Sequence, residues 1–150
     1  QAKDEITNAL NKGKLVVSVR YVSSSIAFMS AKLEKEKRPQ FIQWLKKLEY
    51  EIYGIPKEDI LIYLDVSTKV GRELLAKNGN REYLAKSGKK LDLHEENLEY
   101  MQKVELVYKK LLNEQTNWTR IECLDKEGKI KTKPQIHKLI VKLLKQKKII

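Results

Sequence analysis

Arg20 is the residue in this sequence best placed for chemistry. It follows the apolar run Leu15-Val16-Val17-Ser18-Val19 and precedes Tyr21 and the hydroxyl triplet Ser23-Ser24-Ser25. A β-branched run of this kind is typical of a strand buried on both faces of a parallel sheet. Such sheets bind ligands beyond the carboxyl ends of their strands. The triplet supplies an N-cap, and the free N–H groups of the helix it opens favour an anion. A guanidinium beside a helix N-terminus suits phosphate, because its donors form a planar fork. The same arginine could serve a structural ion pair, and the residues alone leave both readings open.

A second candidate lies between Lys77 and Asp92. Lys77, Arg81, Lys86, Lys89 and Lys90 stand there against Glu82 and Asp92, with Gly79 and Gly88 as points of backbone freedom. A basic loop suits a polyphosphate and the charge that develops when a phosphoryl group moves. The plain alternative is an exposed, solvated loop. Other chemistries are excluded. The sequence contains no G-x-x-x-x-G-K-[ST], no G-x-G-x-x-G and no G-x-S-x-G. His94-Glu95-Glu96 begins like a zinc-protease motif, but no second histidine follows at the required spacing, and His137 is remote. The single cysteine, Cys123, allows neither an internal disulfide nor a cysteine-based zinc site and fits a reducing cytosol. No metal site built from side chains is expected.

The elements that must position these residues follow from periodicity. Residues 1–12 read as a helix end, with Ile6, Ala9 and Leu10 on one face and Asn11-Lys12-Gly13 as its stop. After the strand at 15–19 comes a helix carrying Ile26, Ala27 and Leu33. Phe41, Leu45, Leu48 and Ile52 form an amphipathic helix closed by Gly54 and Pro56. Ile60–Leu64 is a second buried strand ending at Asp65, and Ser67 or Thr68 caps the helix after it. Leu98, Met101, Val104, Tyr108 and Leu111 mark a further helix, Thr119–Leu124 a third strand, and Ile136, Leu139, Ile140, Leu143 and Leu144 the last helix. Strands alternating with helices predict an α/β fold with a parallel sheet. The 150 residues read as one domain.

Hydrophobic residues make up 41%, too many for a disordered chain, and no apolar run approaches the ~20 residues of a membrane span. The net charge of +11 is uneven. From Lys126 to Ile150 there are nine lysines and one glutamate. That tail reads as a solvated helix face, with a patch that attracts nucleic acid or phosphate as the alternative.

The ordered set of motifs resembles the thymidylate kinase family. The resemblance rests on Val19-Arg20-Tyr21, Ser24-Ser25, Ala27 and Phe28, then Ala31-Lys32, Trp44, Leu48-Glu49, and Ile55-Pro56-Lys57-Glu58-Asp59. It continues through Leu64-Asp65-Val66, Asp92-Leu93-His94-Glu95, Val104 to Tyr108, and Trp118 to Cys123. It implies a P-loop nucleoside-monophosphate-kinase-like parallel sheet with flanking helices. It also implies transfer of a phosphoryl group from ATP to dTMP with substrate-bound Mg²⁺ in the cytoplasm. Arg20 would bind the dTMP phosphate, Ser25 would hydrogen-bond thymine, Ser24 would be a further substrate-binding residue, and Phe28 would stand near the deoxyribose. The basic segment becomes a lid over about 77–92, with Arg81, Lys89 and Lys90 as catalytic charges and Lys77, Lys86, Asp92 and Glu95 as lid residues. The family commonly forms homodimers through helices.

Three departures from the family pattern stand out. Val19 replaces an Asp or Asn, Met29-Ser30 replaces a frequent Gln-Gly, and Leu91 replaces an Arg before Asp-x-x-Glu. The family's N-terminal strands and Walker A loop have no counterpart here. The expectation is therefore a C-terminal fragment, inactive alone, whose missing strand would lie between those containing Val17 and Ile62. Two alternatives remain: another nucleotide or nucleoside kinase of the same class, and a non-catalytic basic α/β module that binds nucleic acid. The latter is disfavoured because no aromatics are interleaved with the tail lysines.

Overall fold

The computed structural model describes residues 2–77 and 98–150. The first helix, α1 (Ala2–Asn11), stops where Gly13 takes a left-handed φ of 69°. Helix α2 spans Val22–Ser30, and α3 (Arg38–Lys46) carries Pro39 in its first turn. The chain then continues as a π-helix over Lys47–Ile52, ending before Gly54 at φ 63°. Strand β1 (Leu61–Asp65) leads to α4 (Thr68–Lys77), and α5 (Leu98–Glu114) leads to β2 (Trp118–Glu122). Helix α6 (Lys133–Gln146) follows.

The two strands pair in parallel, with Leu61 opposite Trp118 and Asp65 opposite Glu122. Parallel pairing requires a long crossover, which the chain through α4 and α5 supplies. Asn117 aligns the strand entrances: its backbone carbonyl accepts from Leu61 N–H, and its side-chain amide donates to Glu58 O at 2.9 Å. The core lies among helices. Val22, Ile26, Ala27 and Ala31 of the α2 region meet Ile42 and Leu45 of α3 and Val104, Val107 and Leu111 of α5. Small residues at 27 and 31 give α2 a flat contact face, so it packs between both neighbours.

Several sequence expectations need correction. The run Leu15–Val19 is no buried strand: it is unpaired, and Val17 and Val19 are 80% and 94% exposed. A strand is held by a neighbour's N–H and C=O groups, and no described residue offers them there. Among the described residues the sheet accordingly has two strands, not three. Strand β1 is half-buried, with Leu64 47% exposed. The N-cap of α2 is Tyr21, with no side-chain cap, and the serine triplet lies inside the helix. Ile52 leaves the apolar stripe (65% exposed) because the π-turn rotates the residues that follow it. Helix α6 buries no residue fully. Lys77 closes α4 rather than opening a loop.

Candidate functional site

The site is built where α2 begins, beside the carboxyl ends of the strands. Arg20 has φ 67°, so the chain turns sharply between the extended segment and α2. Ser18 Oγ donates to the Arg20 carbonyl at 2.7 Å across this bend. The turn carries the Arg20 guanidinium over the Phe28 ring, 5.1 Å from its centroid. The ion-pair alternative finds no carboxylate for Arg20 among the described residues.

Phe28 is fixed from α5. Tyr100 meets it edge to face at 6.2 Å, and the Tyr100 hydroxyl donates to Phe28 O at 2.6 Å. One helical turn or two further along α5 stand Val104, which is buried, and Tyr108. Tyr108 stacks on Tyr63 of β1 at 5.4 Å and leans on Trp118 at 6.1 Å. Burial raises the Tyr108 hydroxyl above its ordinary value, while a hydrogen bond with Ser24 and the charge of Arg20 oppose that shift. The Tyr63 hydroxyl is raised too, first by burial and then by Asp65 and Glu105. Both phenols are therefore neutral at physiological pH and act as hydrogen-bonding and stacking surfaces, not as bases.

Glu105 closes the opposite wall. Its carboxylate accepts from Thr68 N–H at 3.1 Å and from the Thr68 hydroxyl, and pairs with Lys109 Nζ at 2.6 Å. Burial works against ionisation, but these donors outweigh it and hold Glu105 below the usual carboxylate range. Ser67 Oγ accepts from Val70 N–H at the start of α4, which meets the sequence expectation of a cap there. Arg120 is engaged by Asp65 at 2.6 Å and Glu122 at 3.3 Å, so it already has its anions. A cavity of about 210 Å³ lies between Phe28, Tyr63, Thr68, Met101, Glu105 and Tyr108.

The structure thus brings Arg20, Phe28 and Ser24 together. Ser25 is half-buried one residue on. Arg81, Lys86, Lys89, Lys90, Asp92 and Glu95 lie outside the described residues. Sequence reading missed Tyr63, Tyr100, Thr68 and Glu105. The Thr68–Glu105 contact spans 37 residues, and nothing local signals it. A larger groove of about 380 Å³ between α2, the π-helix and the end of α5 holds none of the expected residues. Its Tyr50 hydroxyl donates to Glu58 at 2.7 Å, and burial followed by Glu58 raises that phenol strongly.

Fold and site together define an α/β chain with a parallel sheet whose strand ends face an arginine–aromatic cluster. The thymidylate kinase family model matches residues 1–134. A thymidylate kinase of Staphylococcus epidermidis is 35% identical over 102 residues, covering 67% of this chain and 47% of the relative. One of Mycobacterium tuberculosis is 28% identical over 97 residues, covering 65% and 44%. The chain belongs to the thymidylate kinase family. It spans about half the length of the curated relatives it matches. No described helix is long and apolar enough to cross a membrane.

Proposed function

We propose that this chain forms the acceptor side of a cytoplasmic thymidylate kinase, a part of a longer protein that phosphorylates dTMP to dTDP. The observation that carries this reading is Arg20, free of carboxylates among the described residues, held over Phe28 at the start of α2. A phosphate of dTMP placed there meets a guanidinium at the N-terminal end of a helix with no side-chain cap. Phe28 flanks the sugar, Ser25 faces the base, and Ser24 is committed to Tyr108. Arg81, Lys89 and Lys90 supply charge over the transferring group, with Lys86, Asp92 and Glu95 in the same lid.

ATP with its Mg²⁺ is the second substrate. The sequence has no G-x-x-x-x-G-K-[ST], and no described residues form a cradle for its phosphates, so its site is assigned to a part beyond this chain. The unpaired apolar segment at 15–19 supports the same view, since a further strand would cover it. We place any homodimer contact of the complete protein among its helices.

In the complete protein, Arg20→Ala lowers kcat/KM for dTMP by about 10²–10³-fold, the usual loss for one positioned donor to a transition-state oxyanion. Kinetics within threefold of wild type return Arg20 to a structural role. Lys89→Ala with Lys90→Ala lowers kcat more than it raises KM for dTMP, because lid charge acts as charge develops.

A further inference from the structure

Helix α6 carries a row of lysines and no acidic residue. Four lysines on or near other helices are neutralised locally: Lys37 by Glu34, Lys103 by Glu99, Lys109 by Glu105 and Lys110 by Glu114, each three or four residues away. Beyond Glu127 the sequence has no acidic residue. Lys133, Lys138, Lys142, Lys145, Lys147 and Lys148 are exposed, and none of them pairs with a carboxylate among the described residues. A face kept only for solubility normally mixes both signs.

The helix is firmly begun. Thr132 accepts from Gln135 N–H, the Gln135 side chain accepts from Thr132 N–H, and Pro134 sits in the first turn. Its apolar residues Ile140, Leu143 and Leu144 are half-covered, and the helix contacts β2. The opposite side presents Lys138, Lys142 and Lys145 at spacings of four and three, a row about 10 Å long at 1.5 Å per residue. The family match ends at residue 134, so almost all of α6 lies beyond it.

We infer that this lysine row docks the phosphodiester backbone of a nucleic acid duplex, without reading sequence. A duplex strand presents one phosphate per about 3.4 Å of axis, so the row lies along about three of them. The tail has no arginine and no Phe, Tyr or Trp, which removes base-edge forks and most stacking but not phosphate contacts. A bilayer would need a free apolar stripe, and Ile140, Leu143 and Leu144 are already half-covered. A second copy would bring the same positive charge.

The test is fluorescence anisotropy of a labelled duplex of about 20 base pairs with the 150-residue chain, at salt from about 50 to 200 mM. Binding is expected at low salt, with a log–log salt slope of about −3, near −0.9 per phosphate contacted. K138E/K142E/K145E, checked for helicity by circular dichroism, should bind at least about tenfold more weakly and flatten the slope. Lys→Gln at the same positions serves if the charge reversal unfolds the chain, and Lys→Arg should retain binding. Undiminished binding by a folded triple variant overturns the proposal. So does absence of duplex binding at low salt, and so does tighter binding to vesicles containing phosphatidylserine than to duplex.

Discussion

At Arg20 the backbone stands at φ 67°, a left-handed value that costs a non-glycine residue about 1–2 kcal/mol. That cost is borne at the turn that brings the guanidinium over Phe28. Arg20→Gly should therefore unfold at higher urea than Arg20→Ala, by about 1 kcal/mol, since both lose the cation–π contact and only alanine keeps the strain. Equal midpoints would mean that the turn relaxes once the guanidinium is gone. Glu105 gives a second residue-level test. Its folded value lies below the ordinary 4.5, so its contribution to stability is complete above about pH 4.5 and drains as pH falls through the folded value. Glu105→Gln should flatten the acid limb of a stability–pH curve, and an unchanged limb would remove Glu105 from the account. Arg20, Ser24 and Phe28 were legible in the sequence because their signals are local: a strand-like run, a helix start and a family motif. Glu105 and Thr68 were not, because their bond depends on how α4 packs on α5.

Among the elements, α5 carries most of the site's geometry. Tyr100, Val104, Tyr108 and Leu111 stand on one side of it, and they orient Phe28, border the cavity and fill the core. Leu111 is 2% exposed, so Leu111→Ala should cost about 2–5 kcal/mol in chemical unfolding, the range for an emptied leucine site. A loss under 1 kcal/mol would mean that the core refills around the gap. The stripe of α5 could be read from spacing because an uninterrupted α-helix keeps 3.6 residues per turn. The helix at 41–52 could be read only in part. Its π-turn turns Ile52 outward, and a π-turn leaves no mark in a hydrophobic repeat. The strand at 15–19 failed for a different reason. Pattern reports what a segment can pair with, whereas strand structure requires the neighbour itself.

For the molecule as a whole, the two parallel strands and helical core of the described residues position the Arg20–Phe28 cluster, the proposed acceptor site, near an uncovered apolar segment. Exposed apolar strands template association. Val17→Lys should therefore shift the chain toward monomer in light scattering after gel filtration, with no change in helicity. Association that persists unchanged would place the contact elsewhere. The central claim is that the phosphate-binding half of a dTMP site resides in this chain. It is tested most directly by titrating the isotope-labelled chain with dTMP and, separately, with thymidine, while following backbone amide resonances. The account predicts saturable shifts at Arg20–Ser25 and Phe28 with dTMP, much weaker shifts with thymidine, and loss of the difference in Arg20→Ala. Equal responses to the two compounds, or none at these amides, would contradict it.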